Sequence, residues 1–222
     1  MISIKQSNWK TKEYISLGII YLILIFNLVF LKDSCVAVIS AFFGITYTML
    51  AGKGNPKCYL FGLAGSGLYG WLAFANALWG NLLLYILYYI PMQIIGFFKW
   101  NKHLKKDKNE IIKSKLGIKE LKILVLLTTV LSGICIYILY LTNDKSPVID
   151  GIATILSVAG MYLTVKRAIE QWVVWIIVNG ITAIMWILII IQGENVYSTA
   201  FMWIVYFALA LYFYKEWKRE VV

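Results

Sequence analysis

The chain has 222 residues, 61% of them hydrophobic and only 14% charged, with a mean hydropathy of +0.76. A soluble domain of this length cannot bury that much apolar surface, so the composition excludes a water-soluble globular protein and makes lipid the solvent. The net charge of +10 would point to nucleic acid in a soluble protein; in a membrane protein, lysines mark the loops held in the cytoplasm, and no nucleic-acid partner is implied.

Eight apolar runs are long enough to span a bilayer, which takes about 20 helical residues. In chain order they are roughly 14–31, 34–52, 58–76, 79–99, 120–142, 148–165, 171–192 and 196–214. None shows the alternation of a barrel strand. The first run starts near Tyr14 without a small-residue cleavage site, so it reads as a retained helix rather than a signal peptide. With the N-terminus inside, 19 of the 21 Lys and Arg fall on the cytoplasmic side, leaving only Lys32 and Lys145 outside. The expectation is a multi-pass membrane protein with both termini cytoplasmic.

A repeat organises these spans. The sequence FFKW at 97–100 returns as YFYKEW at 212–217, and a shift of about 117 residues lays Tyr89 on Tyr206, Phe97 on Tyr214 and Trp100 on Trp217. Spans 2–4 and 6–8 are the two copies. An even number of spans separates them, so they enter the membrane in the same direction, as parallel repeats. The chain then divides into an N-terminal segment with the first helix (1–33), a first three-helix repeat (34–100), a basic loop with a linking helix (101–147) and a second repeat (148–222). The polar stretch 101–119 is the natural hinge between halves, and His103 within it reads as a solvated loop histidine. Cys35, Cys58 and Cys135 lack metal-ligand spacing and read as small hydrophobes.

Asp33, Asp144, Asp150, Glu170 and Glu194 all fall near span ends. Ion-coupled carriers commonly use buried carboxylates, so their absence at mid-span favours uncoupled movement of a neutral or diffusely charged solute. The sequence has no GxSxG, HExxH, P-loop or pair of catalytic carboxylates, so no enzyme, metal or cofactor is expected. The interior carries uncharged polar and aromatic groups instead. Trp172, Trp175 and Asn179 share one face of span 7 and offer a stacking surface beside an amide. In span 4, Pro91 interrupts the hydrogen-bond ladder and should bend the helix, with Gln93 just past the bend and Tyr89 one turn away. Trp203 and Tyr206 fall on one stripe of span 8. Gly62, Gly65, Gly67 and Gly70 of span 3 read as close-packing positions, with Gly65 and Pro91 as flexible points and Gly96 following the bend.

These stretches resemble the PnuC family of bacterial vitamin transporters. The matching segments are LAGKGNPKCYLFGL (50–63), WGNLLLYILYYIPMQIIGFFKW (79–100), QWVVWIIVN (171–179) and STAFMWIVYFALALYFYKEW (198–217). The resemblance runs from about residue 35 to 220. It implies an all-α membrane protein with an added N-terminal helix on a three-plus-one-plus-three bundle, similar in outline to the SWEET sugar transporters. It also implies facilitated uptake of nicotinamide riboside, trapping by a cytoplasmic kinase, and a homotrimer. Relatives carry thiamine or riboflavin, and thiamine, another flat aromatic cation, stays open as the substrate. A non-transporting sensor or scaffold is the reading from a different class. Under the transporter reading, Asn179, Trp175, Gln93, Trp172, Tyr89, Tyr206 and Trp203 form the substrate site.

Overall fold

The computed structural model describes residues 9–75, 79–106, 109–142 and 146–221. Lys5, Lys108, Asp144 and Lys145 lie outside the described residues. The helices are α1 (Thr11–Phe30), α2 (Cys35–Gly52), α3 (Cys58–Ala75), α4 (Trp79–Leu84), α5 (Ile90–Asn101), α6 (Ile118–Leu141), α7 (Pro147–Lys166), α8 (Glu170–Ile191) and α9 (Tyr197–Val221). Among the described residues there is no strand, only two isolated bridges, Leu104–Ile111 and Ser114–Ala168. A π turn, Tyr85–Tyr89, joins α4 to α5, so these pieces form one rod. Among the described residues seven rods are long and apolar enough to cross a membrane, and the glycine-bearing α3 carries a shorter apolar stretch beside them.

Span 4 was expected to bend at Pro91. The structure places Pro91 in the first turn of α5, directly after the π turn. Proline has no N–H to return to the preceding turn, and the wider π turn absorbs that gap locally.

The three-plus-one-plus-three order is visible in which helices touch. Within the first repeat α2 packs on α3 and α3 on α5; within the second α7 packs on α8 and α8 on α9. The repeats meet through two crossed pairs, α2 with α9 and α5 with α7, which closes a ring of six rods. The added helix α1 lies outside the ring against α2 and α9, and α6 lies against α7. No residue of α6 is buried, as suits a helix whose apolar surface meets lipid.

The basic segments gather at one end of the ring. Glu13 of α1 pairs with Lys53 of the α2–α3 turn at 2.7 Å, and Lys10 pairs with Glu216 of α9. Lys166 at the end of α7 reaches Glu120 of α6, and Glu220 of α9 pairs with Lys105 and Lys113 of the loop. At the opposite end Asp33 Oδ2 accepts the backbone N–H of Ser198 at 2.5 Å, which caps the start of α9 and fastens it to the α1–α2 turn.

The stretch expected to be a hinge is a strap. Ile111 is fully buried, and its N–H donates to the Gly54 carbonyl in the first repeat. Ser114 N–H donates to the Arg167 carbonyl, and Ile169 N–H to the Ser114 carbonyl, both in the second repeat. Arg167 Nη1 donates to the Ile112 carbonyl at 2.7 Å. Composition misleads here: the segment is charged, yet its backbone is bonded into both repeats. His103 Nδ1 lies 2.7 Å from the Lys99 carbonyl, a local bond to the end of α5.

Candidate functional site

A cavity of about 270 Å³ lies inside the six-rod ring, walled by α2, α3, the π turn and α5, α7, α8 and α9. That is near the lower bound for small-molecule sites, about 300 Å³. Among the described residues its wall holds no charged side chain. Toward the basic end it is stoppered by aromatic packing: Trp100, Trp217, Tyr59 and Phe213 are 0–1% exposed. Toward the other end Tyr85 and Trp203 are only partly buried.

The structure brings Asn179, Trp175, Gln93, Trp172, Tyr89, Tyr206 and Trp203 together on this wall, along with Gly65. Gln93 comes from α5, the helix that follows Pro91. Its Nε2 donates to Ser66 Oγ at 2.6 Å, while its Oε1 is buried without a partner. Gly62 makes room for that amide, since a methyl there would lie 2.6 Å from Oε1. Asn179, 5% exposed, is the amide supplied by the other repeat. The two amides thus sit on opposite halves of one cavity.

The aromatic residues differ in what they present. Trp172 is 2% exposed and packs against Phe213 and Trp217, with ring centroids 5.5 and 5.6 Å away. It is therefore packed among aromatic rings, and among the described residues its buried indole N–H has no partner. Trp175 is only partly buried, and its Nε1 donates to Thr164 Oγ1 at 3.2 Å. Trp203 and Tyr206 meet edge to face, with centroids 5.4 Å apart. The Tyr206 hydroxyl lies so close to Gly44 that a methyl there would displace it. Tyr89 lies in the π turn, and it and Ser157 of α7 line the same cavity.

Pro91 and Gly96 are not on the wall. Gly96 is a close-packing point, with Tyr59 Cζ 2.3 Å from where its Cβ would be. Gly65 is looser, because a methyl there would meet only Phe43 Cβ at 3.6 Å. Among the described residues Gly67 and Gly70 have nothing within 4 Å, so close approach on α3 is carried there by Gly62. Sequence reasoning missed Tyr47, Ser66, Ser157 and Thr164 on the wall. Serine and threonine are common in membrane helices, where their hydroxyls bond the preceding turn, and give little signal alone.

The family model described as nicotinamide mononucleotide transporter matches residues 34–219. The chain belongs to this family. Its matched region begins just before α2 and leaves α1 outside. Among curated members, the nicotinamide riboside transporter PnuC of Neisseria mucosa is 30% identical over 92% of this chain and 78% of its own length. The nicotinamide riboside transporter PnuC of Haemophilus influenzae is 29% identical over 97% of this chain and 93% of its own. A solved structure titled as that of the vitamin B3 transporter PnuC superposes with a TM-score of 0.81 at 28% identity, covering 96% of this chain and 92% of the other. The chain is a multi-pass membrane transporter, not an enzyme.

Proposed function

We propose that this protein takes up nicotinamide riboside across the bacterial cytoplasmic membrane by facilitated diffusion, with both termini and the basic end in the cytoplasm. The observation that carries the reading is the wall of the cavity: two amides from opposite repeats and a ring of aromatic side chains, without a charged group among the described residues. That chemistry matches the ligand. A carboxamide pairs with an amide side chain, giving an N–H and taking one, so Gln93 and Asn179 are its partners. The flat cationic ring stacks on Trp175. Tyr89, Tyr206, Trp203 and the indole N–H of Trp172 are left for the ribose. A delocalised charge needs no buried carboxylate, and a wall of neutral groups releases its cargo.

The mechanism is alternating access, with the two three-helix repeats rocking about the cavity and Pro91, beside the π turn, as a flexible point. Phosphorylation inside the cell holds the solute there, and the homotrimer implied by the resemblance belongs to the same reading.

The test is uptake of labelled nicotinamide riboside into liposomes holding the purified protein, with thiamine as competitor. Uptake that equilibrates without an ion gradient, resists thiamine, and falls at least about tenfold in Asn179→Ala and Gln93→Ala supports the reading. Thiamine-blocked uptake moves the substrate to thiamine, and no flux of either solute overturns the transport reading.

A further inference from the structure

Trp175 is held by two residues one helical turn apart on α7. Gly160 lies under the ring, where a methyl would sit 2.9 Å from Cε2 and 3.0 Å from Cζ2. Thr164, 1% exposed, gives its hydroxyl hydrogen to the Gly160 carbonyl at 2.8 Å. That leaves Thr164 Oγ1 free to accept the Trp175 indole N–H, at 3.2 Å. A threonine in a helix is satisfied by the bond to its own preceding turn; the second bond, from another helix, has no such local purpose. An indole has one N–H and two side-chain rotations. Contact with Gly160 seats the ring, and the bond to Thr164 fixes its rotation.

We propose that Thr164 is a positioning residue of the substrate site, setting the indole of Trp175 as the stacking platform for a planar aromatic cation. The proposal rests on the reading of Trp175 as the ring's platform. Attraction between a cation and an indole depends on the ring lying over the face, so a platform free to rotate binds more weakly without any ligand contact being removed. Thr164 also accepts the Trp100 indole N–H at its carbonyl, at 2.9 Å. That bond uses main chain, so Thr164→Val removes the hydroxyl alone.

The experiment is calorimetric titration of the purified full-length protein with nicotinamide riboside, across wild type, Thr164→Val, Thr164→Ser, Trp175→Phe and the Thr164→Val/Trp175→Phe pair. Thr164→Val weakens binding about three- to tenfold, the scale of one hydrogen bond. Thr164→Ser keeps the hydroxyl and stays within about twofold. Phenylalanine at 175 has no N–H to hold, so adding Thr164→Val to it changes nothing further. Thr164→Ala serves the same cycle if the valine variant aggregates. A full valine effect in the Trp175→Phe background, or an equal loss in Thr164→Ser, overturns the proposal and leaves the transport reading intact. Wild-type protein that binds no nicotinamide riboside overturns both.

Discussion

At the residue scale, the cavity depends on where side chains are missing as much as on where they are present. The Gln93 amide fits because Gly62 has only a hydrogen beneath it, and Ser66, one turn further along α3, takes its Nε2. A methyl at Gly62 would lie 2.6 Å from Gln93 Oε1 and 2.9 Å from Tyr47 Cδ2, both nearer than real carbons come. Gly62→Ala is therefore expected to displace both side chains and weaken nicotinamide riboside binding by roughly tenfold or more. Gly67→Ala, on the same helix with open space around it, is expected to leave binding unchanged. Titrating the two variants side by side checks this, and equal effects would mean that α3 tolerates or rejects bulk irrespective of the amide. The seven nominated wall residues were legible because an amide, a tryptophan or a tyrosine in an apolar span is conspicuous, although Tyr47 of α2 shows that the type alone does not find every wall residue. Ser66 and Thr164 were not: Thr46, Thr48, Thr164 and Thr182 all bond the carbonyl four residues back, so nothing in the sequence separates a hydroxyl that serves the site from one that serves only its helix.

At the element scale, apolar run lengths placed the eight rods to within about three residues at every end but one, because each must satisfy its own backbone in lipid; α9 continues to Val221, seven residues past the apolar run, as a charged extension. The strap between α5 and α6 was not legible, because loop composition cannot show which backbone groups are bonded. Its fastening is electrostatic as well as structural. Burial would raise the Glu110 carboxyl pKa, but the lysines Lys105 and Lys113 outweigh burial and hold it below its ordinary value. A carboxyl with a lowered folded-state pKa stabilises the strap fully above its unfolded value and loses that contribution as pH falls toward the folded one. The strap is thus expected to stay fastened from neutral pH down to about pH 4.5 and to loosen only below it. Hydrogen exchange of residues 109–116 against pH measures this. Loosening between pH 7 and 5 would mean that another group controls the segment. Glu110→Gln is expected to remove the acid-dependent loosening, with the strap less protected at neutral pH.

For the whole molecule, the crossed pairs α2–α9 and α5–α7 decide how the repeats can part. At the basic end each crossing is pinned by the last tryptophan of one repeat on the first helix of the other. Trp217 Nε1 donates to the Gly52 carbonyl at 2.7 Å, and Trp100 Nε1 to the Thr164 carbonyl at 2.9 Å. The repeat read from FFKW and YFYKEW thus ends in two equivalent clasps, and a rocking motion that opens this end must break both. Phenylalanine at both positions keeps aromatic bulk but deletes the donors, so each change weakens the closed end by about 1 kcal/mol, roughly fivefold in population. The native Cys58 reports the opening, because it is fully buried in the cluster that these tryptophans complete. With Cys35→Ser and Cys135→Ser leaving one thiol, maleimide labelling of Cys58 is expected to speed up about tenfold or more in Trp100→Phe/Trp217→Phe. Saturating nicotinamide riboside alters that rate if the cavity and this end are coupled. A labelling rate unchanged by the double substitution, in protein that still transports, would show that the repeats part elsewhere and that the basic end is a fixed base rather than a gate.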